Sequence, residues 1–365
     1  MRFTVDTVAF HDALKSVAMV VKARSFTPAL ECVKITAGLA GLHLYGTNLE
    51  QGIRIDVPAG NLEVGDALIP AKLLLEFVGS VNAPEIAAEG DEGGLTLVAG
   101  THKARVKAGG GVDDLAYVQE ADMEVMTIGG GVFSGIVNRI AFAAARDEAR
   151  PALMCVHMRG SDAGLRLEAA DGFRLAIYDY DDAVSEFDIL IPARSLELAA
   201  RLMPPGPMSM RVDDRAVTFS AGGILFTCLQ TAGTYPGVDA IIPTSHATRA
   251  FVDRDNLLLA VRLAYLFNRD AANITTLVIG DNRLVVSGVG VETGDSRTEL
   301  PAIIEGEPLA IAFNAQFLID ALSAMDAGDV RMGFVGDSKP GKLDQEHVPA
   351  VYVIMPMGLH RGQVS

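Results

Sequence analysis

The chain has 365 residues, half of them apolar, enough for two or three domains of roughly 100–200 residues each. Its formal net charge of −16 excludes a protein that coats nucleic acid through its whole surface, but leaves room for a local basic strip. Three isolated cysteines, Cys32, Cys155 and Cys228, fit reduced thiols in a cytoplasmic protein and neither a disulfide framework nor a zinc site.

The first predicted element is FTVDTVAFHDALKSVAMVV (3–21), a strand, a turn and a helix. Phe10, Leu14 and Val17 fall at i, i+4, i+7, one buried helix face. The opening MRFTVDTVAF has no cationic stretch before an apolar run, so no signal peptide is expected. LHLYGTNLEQGIRIDV (42–57) alternates in apolarity about a central break, as paired strands do. ALIPAKLLLEFVGSV (67–81) is an apolar strand, then Pro70, then an amphipathic helix. Proline costs nothing at a helix start, where the missing N–H has no intrahelical partner.

The three patterns return in the same order. The second set is MTIGGGVFSGIVNRIAFAA (126–144), with Phe133, Val137 and Ile140, then LRLEAADGFRLAIYDY (165–180), then ILIPARSLELAARLM (189–203), with Pro192. The third is AFVDRDNLLLAVRLAYLF (250–267), with Leu257, Val261 and Ala264, then LVVSGVGVETGDSRTEL (284–300), then LAIAFNAQFLIDALSAM (309–325). The apolar run 257–267 is interrupted by Arg262 and is too short to span a bilayer. Ala71, Ala193 and Ala315 are spaced by 122 residues each time. A fixed period of this kind is a structural repeat. It predicts an α+β fold of three domains, 1–122, 123–246 and 247–365, each with two helices packed on antiparallel sheets.

The six predicted helices carry Lys15, Lys22, Lys72, Arg139, Arg146, Arg194, Arg201, Arg254 and Arg262 against Asp12, Glu76, Glu197, Asp255 and Asp320. They are net basic in an acidic chain. Helices facing one way would form a weakly positive lining, which attracts phosphates without reading base edges. Lack of Trp leaves little material for a base-stacking platform.

Catalytic patterns are missing: no HExxH, GxSxG, Walker A or paired CxxC occurs. Gly288 and Gly290 lie within a predicted strand pair, without the strand-to-helix setting of a dinucleotide fingerprint. Asp113–Asp114, Asp181–Asp182 and Asp213–Asp214 read as turn caps, since no third ligand stands at recognisable spacing. No metal or cofactor and no enzymatic activity are expected.

MRFTV at the start, TNLE (47–50), IPAK (69–72), ADGFRLA (170–176) and VYVIMPMGL (351–359) occur in the order found in the bacterial β sliding clamps, the processivity subunits of DNA polymerase III, and the chain resembles that family throughout. The resemblance implies a ring formed by a head-to-tail homodimer around duplex DNA, helices lining the hole. It also implies partnership with a replicative polymerase, a clamp loader and other clamp-motif proteins. A partner-peptide pocket between the second and third domains is implied at Leu153, Gly172, Phe173, Arg174, Leu175, Pro236, Ile241, Val353, Ile354, Met355, Pro356 and Met357. Two methionines among aliphatic side chains suit an adaptable groove, and Arg174 is expected to meet a peptide carbonyl or carboxylate at its edge.

Departures from the family lie in the pocket. Ala170 and Phe173 stand where Thr and His are common, and Ala240 where a basic residue is common, so the groove is expected to be more apolar. HRGQVS (360–365) extends beyond the usual end. Arg24 matches a family DNA-contacting position; Lys72, Arg146, Arg150, Arg194 and Arg201 are added as DNA-facing from the helix charges. Leu73 and Phe77 in the first domain, with Leu266 and Phe267 in the third, are apolar candidates for the ring interface, with core packing as the rival explanation. The alternative function is a clamp-fold paralogue that binds peptides without loading on DNA. A repeat-built enzyme is the third reading.

Overall fold

In the computed structural model, which describes residues 1–22 and 24–358, the i, i+4, i+7 residues become one buried face in every repeat. Phe10, Leu14, Val17, Phe133, Val137, Ile140, Leu257, Val261 and Ala264 are none of them more than 1 % exposed. The HRGQVS segment lies outside the described residues.

The first repeat comprises β1 (Arg2–Asp6), α1 (Thr7–Ala18), β2 (Cys32–Gly38), β3 (Gly41–Thr47), β4 (Gln51–Val57), β5 (Ala59–Glu63), β6 (Gly65–Pro70), α2 (Ala71–Ser80), β7 (Glu85–Asp91), β8 (Gly94–Ala99) and β9 (His102–Lys107). The second comprises β10 (Met123–Gly129), α3 (Gly130–Ile140), β11 (Cys155–Ser161), β12 (Gly164–Ala170), β13 (Arg174–Tyr180), β14 (Phe187–Pro192), α4 (Ala193–Leu202), β15 (Pro207–Val212), β16 (Ala216–Ala221) and β17 (Ile224–Leu229). The third comprises β18 (Thr248–Asp253), α5 (Arg254–Asn268), β19 (Ile274–Gly280), β20 (Arg283–Val289), β21 (Asp295–Pro301), β22 (Ile303–Gly306), β23 (Leu309–Asn314), α6 (Ala315–Ala324), β24 (Asp329–Phe334), β25 (Gly341–Gln345) and β26 (Val348–Ile354). The extended triplet forms the antiparallel hairpins β3–β4, β12–β13 and β20–β21.

Helix starts follow the sequence. The Asp6, Asp253 and Asn314 side chains accept from the amides of Ala9, Asn256 and Gln316, at 2.8, 2.9 and 2.9 Å, filling orphan donors of the first turn. Pro70 and Pro192 each end a strand directly before a helix.

The chain divides into two units, each with its own sheets. One is Met1–Ser134 with Leu198–Gln230, the other Gly135–Glu197 with the chain from Thr231 onward. The first unit holds the five-stranded sheet β5-β1-β7-β8-β9 and the eight-stranded sheet β10-β15-β16-β17-β4-β3-β2-β6. The second holds the nine-stranded sheet β14-β11-β12-β13-β26-β25-β24-β18-β22 and the four-stranded sheet β21-β20-β19-β23. Two seams join strands of different repeats. β17 pairs with β4, Phe226 opposite Ile53, and β13 with β26, Leu175 opposite Val353. Main-chain hydrogen bonds at these seams divide the second repeat between the units.

The helix charge balance needs correction. Lys22 and Arg146 lie beyond the ends of α1 and α3, leaving seven basic and five acidic residues within the six helices. Three of the seven already face carboxylates: Arg139 bonds to Asp326 at 2.6 Å, Arg254 lies 2.9 Å from Asp255 and Lys72 3.9 Å from Glu76. The excess survives, but is smaller. Asp114 and Asp213 act in turns: Asp114 accepts from the Gly111 amide at 2.7 Å, and Asp213 from those of Arg215 and Ala216, both at 2.7 Å.

Candidate peptide-binding site

The candidate site lies in the second unit, on one face of the nine-stranded sheet. Residues directly opposite each other in antiparallel strands project to the same face. The Leu175–Val353 pair therefore makes a floor, extended in the next row of that face by Ile177 and Val351. Leu153, Cys155, Ala170, Leu190, Tyr235 and Val238 complete the buried cluster around it. Ala170 thus supplies a small apolar floor position and no hydroxyl.

Above this floor stand exposed apolar side chains: Phe173 at 65 %, Ile241 at 46 % and Met355 at 40 %. A tight turn presents Phe173. The Asp171 carboxylate accepts from the Phe173 and Arg174 amides at 2.9 and 3.0 Å, and Gly172 takes φ +92°. The Met355 amide donates to the Phe173 carbonyl at 2.8 Å, and the Met357 amide to the Ala312 carbonyl at 2.8 Å. Both backbone segments are thereby fixed. Pro236 and Ala240 are exposed, and Pro356 and Met357 half-buried.

Two of the implied lining residues belong elsewhere. Arg174 and Ile354 face each other across β13 and β26, one residue out of step with Leu175 and Val353, so their side chains project from the opposite face. Ile354 is 1 % exposed. Arg174 donates to Asp171 at 2.9 Å, to Asp320 of α6 at 2.6 Å and to the Phe142 carbonyl at 2.8 Å, and its guanidinium lies over the Phe317 ring. It holds the turn and a helix together. The expectation that it anchors a peptide at the groove edge does not fit this engagement.

The sequence reading missed what secures the segment bearing Tyr235 and Ile241. Tyr235 stacks on His157, ring centroids 5.0 Å apart. Glu168, 2 % exposed, accepts from His157 at 3.2 Å, Arg159 at 2.7 Å and Arg166 at 2.5 Å. Arg166 also reaches Asp239 at 2.8 Å, and His157 reaches Asp188 at 2.8 Å. Burial alone would push the Glu168 carboxyl up, but the hydrogen bonds from His157, Arg166 and Arg159 pull it down to about 2. Burial likewise opposes charge on His157, and the bonds to Glu168 and Asp188 overcome it, raising its pKa. Alternation in 155–170 already places His157, Arg159, Arg166 and Glu168 on one strand face; only the fold shows that a loop covers it.

The basic candidates are all exposed: Arg24, Lys72 and Arg201 in the first unit, Arg146, Arg150 and Arg194 in the second. Arg146 and Arg194 line a common cavity of about 320 Å³ with Phe142, Met154 and Glu197. Of the apolar interface candidates, Leu73 is 52 % and Leu266 53 % exposed, while Phe77 and Phe267 are half-buried. Core packing therefore fails as an explanation for Leu73 and Leu266.

Comparison with known proteins covers the whole arrangement. Family models for the N-terminal, central and C-terminal domains of the DNA polymerase III beta subunit match residues 1–110, 127–237 and 239–358. The chain is 27 % identical over 363 residues to a beta sliding clamp of Synechococcus elongatus, covering 95 % of this chain and 96 % of that protein. A Staphylococcus aureus beta sliding clamp is 23 % identical over 355 residues, covering 93 % of this chain and 94 % of that one. The crystal structure of the Bacillus subtilis DNA polymerase sliding clamp superposes with a TM-score of 0.93 at 22 % identity, covering 99 % of this chain and 100 % of that one.

Proposed function

Since the chain belongs to the DNA polymerase III beta subunit family, we propose that it is a DNA sliding clamp, a processivity subunit that does no chemistry of its own. Two copies close head to tail around duplex DNA, and partner proteins, a replicative polymerase and a clamp loader among them, dock in the apolar site described above. The division into 1–122, 123–246 and 247–365 belongs to the same reading and follows the repeat.

The observation that carries it is a pair of unfilled sheet edges. β4 of the first repeat pairs with β17, the last strand of the second, and β13 of the second pairs with β26, the last strand of the third. By the same rule β21 should pair with the last strand of another repeat. Among the described residues β21 is a sheet edge, and so is β9, the last strand of the first repeat, two of the eight ends of the four sheets. Open edges invite pairing with another chain. The charges suit each other: β9 carries Lys103, Arg105 and Lys107, β21 carries Asp295 and Glu299 beside Arg297. Pairing β21 of one copy with β9 of the next joins different surfaces, and such a contact closes if the rotation completes a circle. Leu73, Phe77, Leu266 and Phe267 supply apolar area at this contact. Arg24, Lys72, Arg146, Arg150, Arg194 and Arg201 meet phosphates without sequence preference.

Retention on DNA tests the ring. Loaded on nicked circular DNA, the protein should stay bound through a salt wash and leave at once when the circle is cut. Equal lifetimes on circular and linear DNA would refute encirclement; peptide binding with no DNA retention would mark a peptide-binding module. Assembly is tested separately. Leu73→Asp with Leu266→Asp should shift the dimer to monomer in light scattering over a dilution series, with the circular dichroism spectrum unchanged. A dimer that persists on dilution would place the interface elsewhere.

A further inference from the structure

The sheet face that carries the apolar floor continues beyond β26. In one row Val353 stands opposite Lys342, Lys342 opposite Gly333, and Gly333 opposite Arg249. The adjacent row runs through Val351, Asp344, Arg331 and Phe251. Over these strands lies a cavity of about 400 Å³, bounded also by Thr244 and His246.

The cavity is cationic in a strongly acidic protein. Asp344 takes the Arg331 Nε at 2.5 Å and Lys342 at 3.0 Å, and Arg249 has Glu305 at 3.5 Å. Arg249 and Arg331 nevertheless remain 54 % and 46 % exposed at their side chains. His246 lies against Gly333, its ring 2.6 Å from where a Cβ would stand, so only glycine leaves room for it. Its Nδ1 is buried and has no hydrogen-bond partner among the described residues.

We propose that this cavity binds the carboxylates of an acidic segment that flanks the apolar anchor of a partner peptide. The proposal rests on the peptide-site reading above and adds a charge requirement to it. Strand spacing sets the register. Lys342 is one strand and Arg249 three strands from Val353, about 5 to 14 Å away. An extended peptide advances about 3.3 Å per residue, so acids about two to four residues from the anchor reach the cations. Lys342 and Arg249 stand two strands apart, about 10 Å. That spread suits separate carboxylates along a chain better than a single compact dianion.

The test uses two synthetic peptides sharing one leucine- and phenylalanine-containing core, with glutamates or glutamines about two to four residues from it. Calorimetry on the full-length protein should find the glutamate peptide about tenfold tighter, the sum of several modest exposed ion pairs. The advantage should vanish in Arg249→Ser/Lys342→Ser and at high salt, and persist in the remote control Arg283→Ser. Should the double variant lose its circular dichroism spectrum, Arg249→Ser alone, at an exposed side chain, must still reduce the preference. Equal affinities of the two peptides on the unaltered protein overturn the proposal and leave the peptide site standing. Failure of both peptides to bind overturns the peptide site and this proposal together. Inorganic phosphate binding the cavity as tightly as the glutamate peptide also overturns it, in favour of a free anion.

Discussion

Replacing Glu168 by Ala is expected to destabilise the second unit by about 3–5 kcal/mol, the usual result of removing one partner from a buried ion network. Its carboxylate is the common acceptor for His157, Arg159 and Arg166; His157 keeps Asp188 and Arg166 keeps Asp179 and Asp239 when it is removed, but the three donors lose the one buried carboxylate that joins them. The arginines are partly exposed and recover some hydration, which favours the lower end of the range. A carboxyl held at about 2 against an ordinary 4.5 corresponds to about 3 kcal/mol, in agreement. With no Trp in the chain, urea unfolding is best followed by circular dichroism.

Acidity supplies a second signature. Glu168 has a depressed pKa, so its contribution is present above 4.5 and lost as pH falls toward about 2. His157 has a raised pKa, so its contribution is full below 6.5 and lost as pH rises through its higher folded value. The network is strongest between 4.5 and 6.5. Glu168→Ala should cost most there, and Glu168→Gln should flatten the same region while disturbing packing less. A loss under about 1 kcal/mol with an unaltered pH profile would show that the network contributes little.

The second large effect concerns binding. Phe173→Ala with Met355→Ala should weaken partner-peptide affinity about 30- to 100-fold, as loss of a central apolar anchor does, and leave folding intact because both side chains are exposed. Calorimetry with the glutamine peptide measures this free of the charge effect. Affinity within a factor of about two of the unaltered protein would remove the apolar rim from the site. Arg174→Ala should behave in the opposite way, lowering stability more than affinity, since its three hydrogen bonds face away from the groove.

These contrasts show which parts of the molecule were legible in the sequence. Helix faces such as Phe10, Leu14 and Val17 were readable because periodicity is local, and hairpins such as β12–β13 because alternation is too. Seams were not readable. Nothing in ILFTCL or QGIRIDV marks Phe226 and Ile53 as partners, since backbone hydrogen bonds are blind to residue type. The resemblance gave positions in the pocket without giving faces. Alternation in VYVIMPM does separate Val353 and Met355 from Ile354, and in GFRLA it separates Leu175 from Arg174; applied strictly, it would have moved both misplaced residues. His246 and its cations were invisible, because three strands and a loop assemble them.

The two seams also limit how the chain can be recombined. A repeat exchanged with that of a relative would have to match a foreign ladder at Phe226–Ile53 or Leu175–Val353. A slip of one residue there would turn every apolar side chain of the grafted strand outward. Chimeras that carry both strands of a seam from one parent should fold, whereas those cut neatly between repeats should aggregate.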